Sequence, residues 1–341
     1  MGGNMARRVS INEVAAAAGV SRATTARALA GIRNVDPTIV EAVKLAAAQL
    51  GYQRNALAGS LRSQTTHTVG MVVPEIANPF FPMMIEATER QLQMRGVIML
   101  LCDSRDDPAL EAERTNALME RQVDGLIISP CHAERSRDTI LRARDRLPVV
   151  QLDRFVDGSI TDWVGSDDAY GIAVVMDHLA SAGARTFAFV SSLPNSSSAR
   201  LRTAAYRAEA ATLSPESADR VLAGDFSSTW GQEAARQLLA EGNLPDAVVC
   251  GSDMIAFGVL HEFLASGIRV PEDVMVTGYD DVGQSFLTSP SLTTVQQPCM
   301  EVAATAVQLL DRRLERGADT EQHQHINIHP VLIPRQSTRP G

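Results

Sequence analysis

The stretch Ser10–Gly31, SINEVAAAAGVSRATTARALAG, predicts two short helices joined by a tight turn. Ser10 and Glu13 have the spacing of a capping box, which satisfies two backbone N–H groups at the start of the first helix. Gly19 suits the left-handed position that ends this helix, and Ser21 is placed to cap the second. Because a second helix mounted in this way enters the major groove of DNA by its N-terminus, the stretch indicates a helix-turn-helix.

A third helix completes this all-α unit. Asp36 and Pro37 combine an N-cap with proline at the first helical position, and the helix runs to Gly51. Apolar side chains at helical spacing provide a small core for the three helices. We expect its members to be Val14, Ala15, Ala18, Val20, Thr25, Leu29, Ile39, Val43, Ala46 and Leu50.

Charge is distributed unevenly along the chain. Residues 1–62 contain eight Arg or Lys and three Asp or Glu, a net charge of +5, whereas the whole chain carries -9. A basic head on an acidic body predicts that only the head meets a polyanion such as DNA. A chance excess of basic surface residues is the alternative explanation.

From Val69 onward, short β-rich apolar runs alternate with helical stretches, which is typical of parallel sheets flanked by helices. There are too many strands for one compact sheet, so we expect two Rossmann-like lobes. Ligands of such folds bind beyond the carboxyl ends of the strands, here between the lobes. The strand candidates are VGMVV, VIMLL, GLIIS, PVVQL, TFAFV, AVVCG and VMVTGY.

Length and composition exclude several classes of protein. With 341 residues, 45% hydrophobic and 21% charged, the chain predicts two or three folded domains. No apolar run approaches the ~18 residues of a membrane span. Asn12 and Glu13 interrupt the region that a signal peptide needs to be apolar, so a cytoplasmic location is expected. The cysteines are too scattered for a metal or redox motif and are interpreted as buried thiols: Cys102, Cys131, Cys250 and Cys299.

Taken in order, the motifs resemble those of the lactose/galactose-repressor family of bacterial transcription regulators. The helix-turn-helix is followed by VDPTIVEAVKLAAAQLGYQRNALAGSLRS, THTVGMVVPEIANPFF, VDGLII, GYDD, SLTTVQQP and PVLIPRQST, so the resemblance covers nearly the whole chain. It implies a helix-turn-helix domain (1–52), a hinge helix (53–64) and an effector-binding and dimerisation body (65–341) like a periplasmic binding protein.

The resemblance further implies that the chain crosses three times between the two lobes of the body. We place these crossings near 161–164, 291–294 and 322–325. The N-lobe then comprises about 65–162 and 293–323, and the C-lobe about 163–292 and 324–341.

By the same resemblance, the second helix reads DNA. Arg22 and Ala23 occupy the first turn, where the family contacts base edges, and Thr24 and Arg27 occupy positions that touch backbone or bases. Arg22 is the preferred specificity residue because a guanidinium binds guanine O6 and N7 together. The alternative is a solvated residue at the start of the helix.

The segment QRNALAGSLR, residues 53–62, resembles a hinge helix that forms only on operator DNA. It contributes Asn55 and Leu61 to the DNA-contacting set. In the family a leucine at the position of Leu61 wedges into the minor groove and kinks the duplex. A buried linker leucine is the alternative interpretation.

Polar side chains suited to a ligand follow several strands. Asp280 follows VMVTGY, Asp253 follows AVVCGS, Asp167 follows WVGS, and Arg202 in SSSARLRTAAY offers several donors. By resemblance, Arg202 and Asp280 match effector-contacting positions. Asp253 is equally suited to capping the helix that follows it.

Aromatic and hydroxyl side chains complete the predicted effector site. Phe80 and Phe226 follow strand ends, where they would stack on a sugar or base, and by resemblance both match effector-contacting positions. Plain core packing remains an equal alternative for each. Ser198, with Ser196 and Ser252, lies where other family members place polar effector contacts.

The chain offers little for catalysis. His323, His325 and His329 would share one face of a strand, but a solvated connector is the preferred interpretation of their segment. The sequence contains no metal-ligand cluster, phosphate-cradling glycine loop or nucleophile elbow. We therefore expect no cofactor, no metal and no enzymatic activity.

The leading hypothesis is a ligand-responsive, sequence-specific DNA-binding transcription regulator, in this family most often a repressor. Its partners would be a pseudo-palindromic operator, a second copy of the chain, and a small effector, with no membrane role. A sugar is the expected effector and a nucleobase or nucleoside the alternative; inducer and corepressor stay open. The competing hypothesis is a small-molecule binding protein without a DNA role, and an enzyme comes third, supported by the α/β body alone.

Overall fold

The computed structural model describes residues 9–29, 35–52, 65–316 and 322–339. The chain forms two compact units, Met1–Thr66 and His67–Gly341. In the described ranges no helix is long and apolar enough to cross a membrane.

The N-terminal unit contains the three predicted helices, α1 (Ile11–Ala17), α2 (Arg22–Leu29) and α3 (Pro37–Leu50). Both hydrogen bonds of the Ser10/Glu13 capping box are present, and Gly19 has the expected positive φ of 66°. The core is as predicted in outline, but Leu50 is 39% exposed, and small residues pack in its place because the three helices approach closely. The buried centre consists of Val14, Ala28, Val43, Ala46 and Ala47.

The first lobe of the body is built on a six-stranded parallel sheet, in the order β11-β5-β4-β3-β1-β2. Helices cover both faces, as the alternating pattern predicts. The strands are β1 (Thr68–Val73), β2 (Ile98–Asp103), β3 (Gly125–Ile128), β4 (Val149–Leu152), β5 (Asp162–Ser166) and β11 (His325–Ile328). The helices are α4 (Phe80–Gln93), α5 (Pro108–Glu120), α6 (Arg137–Arg144) and α11 (Cys299–Arg316).

The second lobe has a four-stranded parallel sheet in the order β7-β6-β8-β9, extended by the antiparallel pair β10-β12. Its strands are β6 (Phe187–Ser192), β7 (Val221–Gly224), β8 (Ala247–Cys250), β9 (Met275–Thr277), β10 (Thr294–Gln296) and β12 (Val331–Ile333). Its helices are α7 (Asp168–Ser181), α8 (Ser197–Leu213), α9 (Ser228–Ala240) and α10 (Asp253–Ala265), with a 3₁₀ turn at Pro215–Ser217. A hydrophobic core fills each side of the sheet.

The three crossings lie a few residues later than the sequence placed them. The predicted positions fall on or just before β5, β10 and β11, and the chain changes lobe only after each strand ends, at 167, at 297–298 and at 329–330. The residues 163–166 and 324–328, assigned to the C-lobe, therefore belong to the first lobe, and 293–296 belong to the second. The chain can leave a sheet only after the strand has completed its hydrogen bonds to its neighbours, so each crossing follows the end of a strand. The crossings were placed too early because these strands are too short to be recognised from the sequence.

Candidate functional site

The predicted DNA-reading residues lie at the N-terminal end of α2 and along its outer side. Arg22, Ala23 and Arg27 are exposed, whereas Thr24 is half-buried. The Thr24 hydroxyl lies 2.8 Å from Ser21 Oγ, which also accepts the Thr24 N–H at 3.1 Å. Ser21 therefore caps the helix and leaves both arginine side chains without an ion pair inside the described parts of the chain.

Two predicted DNA contacts, Asn55 and Leu61, lie outside the described residues. Their roles in a hinge helix stay predictions.

In the body, Arg202 is the most strongly held of the predicted effector residues. It is 3% exposed, and its Nε donates to Asp168 Oδ1 at 2.7 Å while Nη1 donates to the Gly251 carbonyl at 2.8 Å. The guanidinium carbon lies 3.6 Å from the ring centroid of Tyr279. Burial lowers the pKa of Arg202, but Asp168 and Asp280 outweigh this and raise it above its ordinary value. The group is a fixed cation at the second-lobe side of the cleft.

Asp280 lies beside Arg202 in the structure. Its Oδ1 is 3.8 Å from Arg202 Nη1 and accepts a hydrogen bond from Gln297 Nε2 at 2.7 Å. Its backbone has a φ of 116°, a region that non-glycine residues rarely occupy. Burial raises the pKa of Asp280 well above its ordinary value, while Arg202 acts in the opposite direction. Its Oδ2 accepts no hydrogen bond from the described residues.

Asp153 and Arg154, directly after β4, bring a second pair of charged groups to the cleft. Asp153 is 8% exposed, and its side-chain oxygens accept no hydrogen bond from residues that the structure describes. Burial raises its pKa to about 6, with Arg154 and Arg202 opposing the rise. Arg154 is 6% exposed; its Nη1 donates to Asp106 Oδ1 at 3.3 Å, whereas its Nε is buried without a hydrogen-bond partner. Both residues are thus buried polar groups with unused hydrogen-bonding capacity, which is typical of a binding site.

The sequence analysis missed Asp153, Arg154 and Gln297. The rule that located Asp280, that ligand residues follow strand ends, applies equally to the DR pair after PVVQL. Gln297 had no comparable signal, because it lies in a crossing that was placed too early.

Aromatic rings lie on both sides of Arg154. Its guanidinium carbon is 5.5 Å from the Phe81 ring centroid and 5.3 Å from that of Phe226, so it bridges the first and second lobes. Phe226 is half-buried, which suits a ligand-contacting ring. Phe80 is 4% exposed and packs edge-to-face on Phe81 within the first-lobe core, which favours the packing alternative for this residue.

Asp253 does not face the cleft, contrary to the expectation that it contacts effector. It is fully buried, and its carboxylate accepts hydrogen bonds from the Val282 N–H at 2.8 Å and from the hydroxyls of Ser285 and Thr294, each at 2.5 Å. Ser252, rather than Asp253, caps α10. Asp253 therefore fixes the loop after β9 to β10. Its spacing from a strand end matches that of a ligand residue, so the sequence could not separate the two roles.

Asp167, Ser196 and Ser252 are helix caps, whereas Ser198 lies buried in the first turn of α8. Asp167 Oδ1 accepts the Tyr170 N–H at 3.0 Å at the start of α7, and its Oδ2 lies 3.6 Å from His329 Nε2. Ser196 caps α8, and its hydroxyl lies 3.2 Å from that of Ser198. The contacts of Asp167 are therefore with α7 and with His329 of the third crossing.

His325 and His329 are exposed, as expected for a solvated segment, although His325 begins strand β11 and is not part of a connector. His325 packs against Phe155 and Trp163, and His329 stacks on Tyr170 with ring centroids 4.2 Å apart. In the described parts of the chain no group of His, Cys, Asp and Glu has the arrangement of a metal site.

Comparison with known proteins supports both units. The family model described as bacterial regulatory proteins, lacI family, matches residues 10–55, and a periplasmic binding protein-like domain matches residues 176–338. The ribose operon repressor of Escherichia coli (strain K12) is 30% identical over 331 residues, covering 96% of this chain and 99% of that protein. The HTH-type transcriptional repressor PurR of Haemophilus influenzae (strain PittEE) is 30% identical over 335 residues, covering 97% and 98%.

A solved structure shares the whole architecture. The lac repressor dimer bound to operator and the anti-inducer ONPF superposes with a TM-score of 0.87 at 25% identity, covering 97% of this chain and 99% of that one. The fold and the cleft thus define a DNA-binding transcription regulator controlled by a small molecule. The chain belongs to the lacI family of bacterial regulatory proteins. This finding favours the regulator over a binding protein without a DNA role.

Proposed function

We propose that this regulator is a repressor whose effector is a small, uncharged sugar such as ribose. The observation that carries the proposal is the set of unused polar groups in one cleft. Asp153 and Asp280 Oδ2 are free acceptors, Arg154 and Arg202 have free N–H donors, and the Phe226 ring lies beside them. Both arginines are already paired, Arg202 with Asp168 at 2.7 Å and Arg154 with Asp106 at 3.3 Å, so the cluster has no uncompensated cation for an anion and suits a neutral ligand with several hydroxyls better.

The similarity to the ribose operon repressor supports a pentose as the effector. The similarity to PurR makes a purine the competing candidate. Isothermal titration of the full chain with D-ribose, D-ribose 5-phosphate, adenine and hypoxanthine separates these cases. Binding of ribose alone supports the proposal. Preferential binding of a purine or of the phosphate would contradict it.

The proposed DNA contacts are Arg22, Ala23, Thr24 and Arg27 on α2 together with Asn55 and Leu61 of the proposed hinge. A dimer, as in the lac repressor complex, would place two such units on a pseudo-palindromic operator, with Leu61 as the minor-groove wedge. The protein would act in the cytoplasm, where its DNA is, and the cleft would bind its ligand without converting it.

The first prediction tests the cleft. Replacing Asp280 by Asn keeps the size of the side chain but exchanges one acceptor for a donor next to Arg202. We expect the Kd for the effector to rise by about 10- to 100-fold, because a hydrogen bond from a hydroxyl to a charged acceptor is lost. Titration calorimetry measures the change. A variant with the wild-type effector Kd would make Asp280 a turn residue only.

The same variant reports the sign of the response. If the effector is an inducer, Asp280→Asn binds operator normally and is not released by effector. If the effector is a corepressor, the variant binds operator weakly whether or not effector is added. Operator titrations with and without effector, beside the wild type, distinguish the two.

The second prediction tests the DNA-reading helix. Replacing Arg22 by Ala should weaken operator binding by about 1–3 kcal/mol and relax the preference at one base pair in each half-site. Competition with operators substituted at each position gives the profile. Lys44→Ala, which removes an exposed charge that pairs with Glu41 at 3.4 Å, is the control. A uniform loss on every sequence would mean that Arg22 holds phosphate.

A further inference from the structure

Asp168 is a buried carboxylate at the point where the chain first passes between the lobes. It is the first residue of α7, two residues beyond the last residue of β5, and is 6% exposed. Its Oδ1 accepts the Nε–H of Arg202 at 2.7 Å. A side chain of the crossing segment therefore holds a residue that we place in the effector site.

The other contacts of the Arg202 guanidinium come from strand ends of the second lobe. Nη1 donates to the carbonyl of Gly251, which follows β8, and the guanidinium lies over Tyr279, which follows β9. Gly171 permits this packing, since a Cβ there would lie 2.4 Å from the Tyr279 hydroxyl. Nη2 makes no hydrogen bond within the described ranges and is the donor left for a ligand. Asp168 fixes the plane of the group and so the direction of Nη2.

The contacts continue to the other two crossings. Asp280, 3.8 Å from Arg202, accepts a hydrogen bond from Gln297, which lies in the second crossing. Asp167, next to Asp168, lies 3.6 Å from His329 in the third. The two effector residues on the second lobe are thus tied by side chains to the segments whose geometry sets the angle between the lobes.

We propose that Asp168 is a positioning residue that orients Arg202 for the effector and transmits occupancy of the cleft to the first crossing. The inference rests on the proposed function, since it takes Arg202 as an effector contact. It assigns to Asp168 no contact with the ligand. Removing the Asp168 carboxylate should therefore reduce the effect of the effector on operator affinity. This reduction should remain even when the effector saturates the cleft.

Asp162 provides a matched control at the opposite end of the same strand. Its carboxylate accepts Arg313 Nε at 2.7 Å and Nη2 at 2.9 Å, and it is 2% exposed. The pair resembles that of Asp168 and Arg202 in burial and in its 2.7 Å contact through Nε, although it has a second contact through Nη2, and it joins β5 to α11. A purely structural effect of losing a buried carboxylate appears in both variants.

The test compares wild type, Asp168→Ala, Asp168→Asn and Asp162→Ala as full chains, with D-ribose as the probe. Calorimetry gives the ribose Kd, and operator titrations give the ratio of operator Kd values with and without saturating ribose. Asp168→Ala should raise the ribose Kd at least about tenfold and bring the operator ratio close to one. Asp168→Asn retains an acceptor for Arg202 Nε, so its ribose Kd and operator ratio should lie between those of wild type and Asp168→Ala. If the alanine variant does not fold, the asparagine variant provides the test. Asp162→Ala should keep the wild-type ratio.

Two outcomes are distinguished. A wild type that binds no ribose would overturn the proposed function, and this inference with it. A wild type that responds to ribose, beside Asp168 variants with an unchanged operator ratio or an Asp162→Ala variant with an equal loss, would overturn the inference alone.

Discussion

Replacing Arg202 by Met is expected to destabilise the body by about 3–5 kcal/mol and to abolish effector binding. The methionine fills a similar volume but leaves the buried carboxylates of Asp168 and Asp280 without their cation. Both tryptophans, Trp163 and Trp230, lie in the body, so urea unfolding followed by tryptophan fluorescence reports on this unit alone.

The double variant Arg202→Met/Asp168→Asn provides the control for this result. Removing one of the unpaired charges should restore part of the lost stability. The deficit of the single variant should shrink as the pH is lowered, because burial raises the pKa of Asp280 and a neutral carboxyl needs no cation. A single variant as stable as the wild type would show that the ion pair contributes nothing to the fold.

Replacing Asp153 by Asn is expected to stabilise the ligand-free protein while weakening effector binding. The pKa of Asp153 is raised from 3.8 to about 6 by burial, so the folded state binds a proton more tightly than the unfolded chain. Stability therefore falls as pH rises from about 4 to 6, and above pH 6 the ionised carboxylate costs about 3 kcal/mol. The amide removes this cost without changing the size of the side chain.

The measurement is the free energy of unfolding of wild type and Asp153→Asn at pH 8 and pH 4. We expect the variant to be more stable at pH 8 and the two proteins to converge at pH 4, where the carboxyl of the wild type is neutral in the folded state. The effector Kd at pH 8 should rise in the variant, because a hydroxyl donates better to a carboxylate than to an amide. Equal stability at pH 8 would mean that the carboxylate is already neutral or well solvated there.

The architecture could be predicted because its signals are local and repeated. The capping box at Ser10, the positive-φ glycine Gly19 and the alternation of apolar runs with helical stretches each indicate their structure without knowledge of distant residues. The strands β5, β7 and β10 to β12 were not among the strand candidates, because runs of three to five residues do not stand out, and all of these except β12 also include polar side chains or glycine. The crossings were misplaced for the same reason.

The site was predicted in part, and its errors have one cause. Asp280 follows β9 and Arg202 lies in α8, and the structure places the two side chains 3.8 Å apart, while their contact with an effector stays a prediction. Which of the residues after strand ends keeps free hydrogen-bonding groups depends on partners distant in the sequence. Asp253 is saturated by Ser285 and Thr294, whereas Asp153 is not saturated. No spacing rule contains that information.

The three crossings also bear on how the chain is made. The helices of the N-terminal unit are synthesised before β1, and that unit is complete in itself. The body is different: the first lobe lacks α11 and β11, and the second lacks β12, until residues beyond 297 have been translated. Neither lobe is a continuous segment. A nascent or prematurely terminated chain therefore carries the DNA-binding helices without a body able to sense effector, and only near-complete synthesis places the two under common control.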